Sequence, residues 1–456
     1  MAHLAVVGGG MAGLSAAFYA REAAPHLRIT LLEAEPRLGG KVLTALEDGF
    51  VVEGGPDAVV RYKPWALSLM RALGLEGEWV GTLPARPSAL IHDGRAARPI
   101  PEGLQMVVPG NLWALARSPL LSPLGKARAL LDLVWPKGSP GDEAFGDFIK
   151  RRLGRQVWER LVAPLSGGIY GGDPAELSTL AAFPQLKALE QEHGSLIRGA
   201  MVQRRLRGSR EAGQLFVSLR SGLGGLVRAL EARLAGVEVR LGAPVVGLEQ
   251  AGGWQLYTPE GSLQADAVVL AVPAGPAARL LEKLAPEAAH ALQSIPYGTS
   301  ATVSLAFDKN HLPPRIGHGI LLAAGQGFAA RGFTWADQKW PERAPEGLGL
   351  VRAYFSGLEA TPDELVAAAL RDLERLWGRA PKPLRTWVFR WPLGLPRYTV
   401  GHLERVHQAL GAEALPGLFL AGAAYWGVGL PEVVRMGQAA GQGAVRFLLG
   451  ERVGLT

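Results

Sequence analysis

The chain has 456 residues, no cysteine, a formal charge of +7 and 48% hydrophobic residues. A chain of this length is expected to form about two to four domains with several cores, which excludes a small binding module. The absence of cysteine excludes disulfides, thiolate metal sites and redox dithiols. Basic residues are scattered and not interleaved with aromatic ones, so no nucleic-acid partner is expected, and we interpret the densest basic cluster, at 204–210, as a solvated face.

The sequence shows no sign of membrane insertion or secretion. No stretch reaches the roughly 18 uninterrupted apolar residues that span a bilayer, and the first predicted strand begins at His3, which leaves no room for a signal peptide. The protein is therefore predicted to be cytoplasmic.

The N-terminus carries a glycine-rich turn between a strand and a helix, AVVGGGMAG at residues 5–13. Gly8 permits the tight turn and Gly10 lets the backbone approach a pyrophosphate, while Gly13 lets a helix beginning near Leu14 pack closely on the strand. This arrangement predicts a binding site for an adenine dinucleotide.

An acid follows at the spacing that such a site requires. Glu33 closes the next apolar run, RITLLE, and its carboxylate can accept hydrogen bonds from ribose hydroxyls, which disfavours a 2′-phosphate. The first turn of the helix near Leu14 presents backbone N–H groups and a positive dipole end to phosphates, and Met11 and Ala12, which precede it in the glycine turn, are also counted as cofactor-binding.

The segment 104–163 is predicted to be rich in helices interrupted by prolines. Within it, LGKARALLDLVW shows helical apolar spacing, which is compatible with a core-facing helix or with a helix lying on a membrane surface. The glycine-rich stretch at 167–172 has a purely structural alternative, in which it is a turn ahead of a helix that Asp173 or Ser178 caps.

The middle of the chain returns to the dinucleotide-binding unit. A helix is predicted over 223–234, and the almost continuous apolar run at 266–272 is typical of a strand buried on both faces of a parallel sheet. The glycine-rich RSGLGGL at 220 lacks a preceding buried strand and a trailing acid, so no second dinucleotide site is predicted.

The remaining segments predict a second sheet and a closing unit. Strands are expected at 299–308 and 348–355 with an amphipathic helix at 363–377, forming an antiparallel sheet that carries a helix. Near the C-terminus, LPGLFLAGAAYWGVGLPEVVRMGQAAGQGAVRFLL predicts another buried strand, a glycine turn and a closing helix.

The fold class is thus α/β, with a Rossmann-like dinucleotide-binding domain, an α+β substrate domain and a helical insertion. We assign the dinucleotide-binding domain to 1–84, 205–278 and 404–456, the substrate-binding domain to 85–99, 185–204 and 279–403, and the helical, potentially membrane-facing domain to 100–184.

Two further motifs carry a resemblance that identifies the cofactor. EAEPRLGGK follows Glu33 and GFVVEGGPD follows a few residues later, and together they resemble the flavin amine oxidase-like superfamily, although two ordinary loops would show the same glycine pairs. The resemblance implies noncovalent FAD. It also implies further cofactor-binding residues, namely Ala34, Gly39, Gly40, Lys41, Gly54, Gly55, Pro56, Asp57, Val245, Trp391, Gly422, Val428, Gly429 and Leu430.

The stretch APLSGGIYGGDPAELS at 163–178 resembles the signature of protoporphyrinogen oxidases, the oxygen-dependent enzymes of haem biosynthesis, and agreement with that family spans the whole chain. Glycines there let a flat, bulky molecule approach the backbone. The resemblance implies substrate contacts at Gly168 and Gly171, a stacking role for Trp340 and an apolar wall at Leu321. Arg86 or Arg61 is the candidate for pairing with a substrate propionate.

The implied reaction is oxidation of protoporphyrinogen IX or coproporphyrinogen III by FAD, with oxygen as acceptor and peroxide as product. We predict no metal and no catalytic acid or base, because the histidines are isolated in the sequence. The alternatives left open are an amine oxidase or carotenoid desaturase of the same superfamily, and a carrier of tetrapyrrole or flavin without turnover. Peripheral membrane contact and transfer of product to the next haem-pathway enzyme also stay open.

Overall fold

A five-stranded parallel sheet is the centre of the protein in the computed structural model, which describes residues 1–105, 107–167, 172–207 and 215–451. Its strands come from three separated stretches of chain, as the sequence predicts, and all four pairings are parallel. Their order across the sheet is Val237–Arg240, Arg28–Leu32, His3–Val7, Ala267–Leu270 and Leu418–Leu420.

Both faces of this parallel sheet are buried, because alternate residues of its strands enter two different cores. Leu4 and Val6 belong to one core with the helices Met11–Ala23, Pro64–Ala72, Gly224–Arg233 and Leu430–Leu448. Ala5 and Val7 belong to the other, with the hairpin strands Gly247–Gln250, Trp254–Thr258 and Gly261–Ala265 and the helices Ala274–Leu281, Pro286–Gln293 and His402–Leu410. The prediction of a strand buried on both faces is confirmed for Ala267–Leu270.

The first helix, Met11–Ala23, packs closely against the last helix, Leu430–Leu448. A Cβ atom at Gly437 would lie 2.2 Å from the Ala12 carbonyl oxygen, and one at Gly441 would lie 2.3 Å from that of Ala16. The first helix begins at Met11 and not near Leu14, because Gly10 already serves as its N-cap.

A seven-stranded sheet forms the second unit, with the helix Pro362–Trp377 packed on it through Leu365, Ala369 and Leu373. Its order is Arg385–Pro396, Tyr297–Asp308, Leu348–Ser356, Gly332–Trp335, Gly319–Leu322, Leu90–His92 and Ala97–Pro99. The predicted sheet was antiparallel throughout, but Gly319–Leu322 and Leu90–His92 pair in parallel, so we call it the mixed sheet. A strand from the distant segment before residue 100 causes the difference.

The helical unit is built around a core that includes Phe145, Ile149 and Leu161. Its helices are Leu112–Arg117, Pro123–Leu130, Phe145–Leu153, Arg155–Val157, Ala163–Ser166, Thr179–Ala182, Pro184–His193 and Leu196–Arg207, with a π-helical turn at Trp158–Val162. Asp173 and Ser178 both cap short helices, as predicted. Residues 185–204, which we grouped with the substrate-binding domain, pack into this core instead, because Leu186, Leu189 and Ile197 are buried there.

Short strands connect the units. They are Thr44–Glu47 with Phe50–Glu53, Leu104–Gln105 with Val108–Pro109, and the set Val59–Val60, Phe216–Leu219 and Trp79–Gly81. The expectation that no buried strand precedes RSGLGGL is wrong, since Val217 and Leu219 are buried; however, that strand pairs antiparallel and therefore builds no second nucleotide fold. In the described part of the chain, no helix is long and apolar enough to cross a bilayer.

Candidate flavin and substrate site

The N-terminal glycine turn separates tightly packed positions from an open one. Gly8 has φ +104°, and a Cβ there would lie 2.6 Å from the Ala271 carbonyl oxygen. A Cβ at Gly13 would lie 1.8 Å from the Gly8 carbonyl oxygen, whereas one at Gly10 would meet nothing within 4 Å. Gly8 and Gly13 are therefore required by the fold, and Gly10 borders a space in which a ligand can approach the backbone.

The helix that follows this turn offers its N-terminus to a ligand. No side chain caps it at Gly10, and no acidic residue lies in its first turn. The N–H groups of this turn and the positive end of the helix dipole are thus left for an anionic group. Together with the open face of Gly10, this arrangement fits the pyrophosphate of FAD.

Glu33 lies directly after the strand Arg28–Leu32, beside the glycine turn. Its carboxylate accepts hydrogen bonds from the backbone N–H groups of Gly9 and Glu35. The Glu33 carbonyl accepts from Ala243, which brings the segment containing Val245 next to Ala34 and this carboxylate. The structure therefore brings Glu33, Ala34 and the segment containing Val245, all predicted to bind the cofactor, to one region.

The pair Gly39–Gly40 lies against the N-terminal glycine turn, and the pair Gly54–Gly55 lies against the residues that follow Gly40. The Gly39 N–H donates to the Gly9 carbonyl at 2.9 Å, and a Cβ at Gly55 would lie 1.8 Å from the Lys41 carbonyl oxygen. Trp391 donates through Nε1 to the Gly54 carbonyl at 2.9 Å. Burial lowers the pKa of Lys41 to about 8, since its ammonium group is taken out of water.

The C-terminal loop reaches the same edge, because the carboxyl ends of parallel strands coincide. Gly422 has φ +135° with open space beside it. Gly429 is the N-cap of the last helix and supplies no side-chain hydrogen bond there, and Leu430 is the first residue of that helix. Val428 lies between the two glycines.

Tyr398 holds this loop, a role that sequence reasoning missed. Its hydroxyl donates to the Ala423 carbonyl at 2.6 Å and accepts from the Gly427 N–H at 2.8 Å. Its ring stacks on His402 with centroids 3.8 Å apart, and burial lowers the pKa of His402 to about 4. The motif PRYTVGH contains both residues, but only the fold shows that they meet residues 423–427.

Asp57 and Trp340 form a buried contact with each other. The Asp57 carboxylate accepts from Lys339 at 2.7 Å and from Trp340 Nε1 at 3.2 Å. Burial would raise the pKa of Asp57, but the charges of Lys339 and Arg352 outweigh it, so this pKa lies below its ordinary value. Trp340 is 1% exposed, so in this conformation its ring has no free face for the predicted stacking on a substrate.

Leu321 lies where the mixed sheet meets the helical unit and the C-terminal loop that contains Val428. In the strand Gly319–Leu322 its neighbours Ile320 and Leu322 enter the core of the mixed sheet, whereas Leu321 packs against the helical core, as Val428 does. The helix Ala163–Ser166 contacts the same strand. Gly168 and Gly171, the predicted substrate contacts that follow this helix, lie outside the described residues.

The two arginines proposed for propionate recognition are both exposed. Arg86 precedes the strand Leu90–His92, in which Ile91 is paired with Leu321. It therefore lies beyond the N-terminal ends of these two parallel strands and not beside Leu321. Arg61 follows Val59–Val60 and its N–H donates to the Leu215 carbonyl. Neither is brought next to Leu321 by strand pairing.

His318 and His92 already have hydrogen-bond partners in the protein. His318 Nε2 lies 2.7 Å from the Leu83 carbonyl oxygen, and His92 Nδ1 accepts from the Gly94 N–H at 3.1 Å. Across the residues that the structure describes, no group of three or more His, Asp or Glu side chains could hold a metal ion.

A parallel sheet with an uncapped helix, an open glycine and the Glu33 carboxylate at one edge fits an FAD-dependent oxidoreductase. The chain belongs to the flavin containing amine oxidoreductase family, whose pattern matches residues 11–443.

The chain is similar to several characterised relatives along its length. It is 35% identical to the coproporphyrinogen III oxidase of Bacillus subtilis (strain 168), covering 98% of both chains. It is 37% identical to the coproporphyrinogen III oxidase of Propionibacterium freudenreichii, covering 95% of this chain and 88% of that one. It is 33% identical to the chloroplastic protoporphyrinogen oxidase 1 of Arabidopsis thaliana, covering 94% and 85%.

Among solved structures, a candidate protoporphyrinogen oxidase from Exiguobacterium sp. 255-15 matches with a TM-score of 0.87 and 36% identity, over 97% of this chain and 98% of that one. A reduced UDP-galactopyranose mutase matches with a TM-score of 0.75 at 15% identity, over 99% and 94%, and shares the fold alone.

Proposed function

We propose that this protein oxidises coproporphyrinogen III to coproporphyrin III in haem biosynthesis, with FAD as cofactor and oxygen as acceptor. The observation that carries this proposal is similarity along the whole chain to enzymes of that name at 35% and 37% identity. The formal charge of +7 also favours a substrate with several carboxylates.

The residues predicted for FAD divide among its parts. Gly10 and the first helical turn would hold the pyrophosphate and Glu33 the adenosine ribose, while Gly39, Gly54 and Trp391 would line the path to the flavin ring. Bound FAD supplies a two-electron oxidation, so conversion of a porphyrinogen, which loses six hydrogen atoms, takes three rounds and reduces three oxygen molecules to three molecules of peroxide. The described side chains position the substrate and exclude water.

The junction around Leu321 and Val428 suits the apolar face of a large ring substrate. Both side chains pack against the helical core, which gives this junction an apolar wall. We propose that the substrate lies there, with the helix Ala163–Ser166 along one edge. We propose that 1–84, 205–293 and 404–456 hold FAD, because the helices Ala274–Leu281 and Pro286–Gln293 pack on the parallel sheet and not with the substrate unit to which we assigned residues from 279 on. The other two units enclose the substrate.

We also propose that the protein is cytoplasmic and that its helical unit touches membrane surfaces. Trp113, Leu124, Val134 and Trp135 are 64%, 82%, 78% and 42% exposed, and Arg117 stacks on Trp113. Exposed apolar side chains beside cations are typical of interfacial segments. Such contact would place the product where the next haem-pathway enzyme can receive it.

The decisive experiment supplies purified FAD-loaded protein with coproporphyrinogen III and, separately, protoporphyrinogen IX, in air and without oxygen. We expect porphyrin fluorescence above the autoxidation control only in air, with peroxide formed and a higher kcat/KM for coproporphyrinogen III. A higher value for protoporphyrinogen IX would overturn the substrate preference, and no rate with either would leave the carrier alternative. Oxidation of an amine or a polyene would favour the two rival enzymes.

Sedimentation with vesicles tests the surface contact separately. We expect binding to vesicles containing anionic lipid, and loss of binding in Leu124→Asp combined with Val134→Asp. Equal recovery of both proteins in the supernatant would contradict the contact without affecting the proposed reaction.

A further inference from the structure

A small cavity lies between the strand Phe50–Glu53 and the mixed sheet, beside the loop that contains Gly54 and Gly55. Its volume is about 10 Å³, and its lining includes Glu53, Ser304 and Arg352. A volume of about 10–15 Å³ holds one water-sized occupant. The cavity is therefore large enough for a single small molecule or ion.

Hydrogen-bond donors around this cavity are left unused. Arg352 is 3% exposed and donates from Nη2 to the Gly55 carbonyl, but its Nε and Nη1 have no partner among the described residues. Ser304 and Arg343 are each 1% exposed, and the Ser304 hydroxyl and Arg343 Nε likewise find no partner within the described part of the chain. Buried donors normally have partners.

The acceptors around the cavity are fewer than its donors, and both Glu53 oxygens are already engaged. The two Glu53 carboxylate oxygens accept from the Leu223 N–H at 2.7 Å and from the Thr44 hydroxyl at 2.6 Å. One Asp57 oxygen accepts from both Lys339 and Trp340. The groups around the cavity that can still form hydrogen bonds are therefore mainly donors.

The charges point in the same direction. Lys339, Arg343 and Arg352 face the two carboxylates Glu53 and Asp57. Lys339 pairs with Asp57 at 2.7 Å and Arg343 lies 4.0 Å from Glu53, whereas Arg352 makes no ion pair within 4.0 Å in the described ranges. The Tyr354 ring, 4.9 Å from the Arg352 guanidinium, offsets its buried charge only in part.

We propose that this cavity binds one monatomic anion, which in the cell is chloride. A chloride ion accepts from several donors and has no protons of its own to place, whereas a water molecule would bring two further protons into a cavity where donors already outnumber acceptors. The anion neutralises Arg352 and thereby stabilises the contact between that guanidinium and the Gly55 carbonyl. The site is independent of which substrate the protein oxidises.

The first test measures thermal unfolding of the FAD-loaded protein after removal of chloride. We expect the melting temperature to rise saturably with sodium chloride or bromide, and not with sodium methanesulfonate at equal ionic strength. Crystals grown in bromide are expected to show an anomalous peak beside Arg352 Nε. Equal responses to the two kinds of salt, or a water molecule at this position without an anomalous peak, would overturn the proposal.

A variant that carries a negative charge of its own in the cavity tests the proposal directly. Ser304→Asp places a carboxylate in the cavity, so we expect it to remove the halide response while keeping the protein folded without chloride. Ser262→Asp, on an exposed strand, is the control and is expected to keep the native response. A Ser304→Asp protein that retains the halide response would overturn the proposal. If that variant does not fold, the bromide crystals of the unaltered protein decide.

Discussion

The edge of the parallel sheet and the interior beneath the Gly54–Gly55 loop are built from different parts of the chain. At the sheet edge, backbone atoms of Gly8, Gly10 and Gly13 shape the site, and added side chains would obstruct it. In the interior, Arg343, Arg352 and Glu53 bring side-chain charges together from distant segments. A site made from one continuous backbone segment can therefore be predicted from a sequence, whereas a site made from scattered side chains cannot.

The substitution Gly13→Ala is expected to disrupt the glycine turn most strongly. In Gly13→Ala the new Cβ would lie 1.8 Å from the Gly8 carbonyl oxygen, so the turn must distort. We expect FAD affinity to fall at least about 100-fold, or about 2.8 kcal/mol, together with a lower melting temperature of the apoprotein. Titration with FAD and thermal unfolding measure both.

Gly10→Ala is the matched control for this prediction, because its Cβ would meet nothing within 4 Å. It should weaken FAD binding while leaving the melting temperature of the apoprotein unchanged. A Gly13→Ala protein that is purified with its full flavin content would contradict a backbone-made site.

The second prediction concerns His402, which supports the same edge through Tyr398. Its pKa is about 4 in the folded protein, below the ordinary value of 6.5, because burial disfavours the charged ring. The unfolded chain therefore binds an extra proton between these values, so stability is full above about pH 6.5 and falls by up to about 3 kcal/mol toward pH 4.

Denaturant unfolding at a series of pH values tests this. His402→Phe keeps a ring against Tyr398, and we expect it to flatten the dependence between pH 6.5 and 4. His290→Gln, which alters an exposed histidine, should leave the slope as it is. An unchanged slope in His402→Phe would show that another group controls it.

The third prediction addresses the charged interior. Lys339→Met leaves the Asp57 carboxylate without its 2.7 Å partner, and both side chains are mostly buried. We expect a loss of about 2 kcal/mol of unfolding free energy, less than for a fully buried pair. The double variant Lys339→Met with Asp57→Asn should recover part of this loss in the same denaturation assay. No recovery would mean that Lys339 acts through packing alone.

The smallest effect is expected at Glu33. Glu33→Gln keeps one oxygen acceptor but loses the charge toward ribose hydroxyls, so we expect FAD to bind about tenfold more weakly, or about 1.4 kcal/mol. Fluorescence titration of the apoprotein measures this. Glu35→Gln alters an exposed neighbour and should bind FAD as the native protein does. Equal affinity in both variants would show that Glu33 serves only the Gly9 and Glu35 backbone.

Sequence reasoning predicted the parallel sheet from three stretches because each strand carries a local pattern, as Ala267–Leu270 does. It missed the parallel pairing of Leu90–His92, since no local signal names a strand's partner. The same limit explains why Trp340 was predicted to stack on substrate. Its burial depends on Asp57, 283 residues away.

The parallel sheet is completed by Leu418–Leu420, and its cofactor edge by the residues that follow. During synthesis, the nucleotide turn emerges from the ribosome long before the strand and helix that close the edge. The cofactor edge of a nascent chain thus stays incomplete until residues 418–448 have been made. Flavin loading must wait for these residues, and a premature stop before Leu418 would yield a colourless protein.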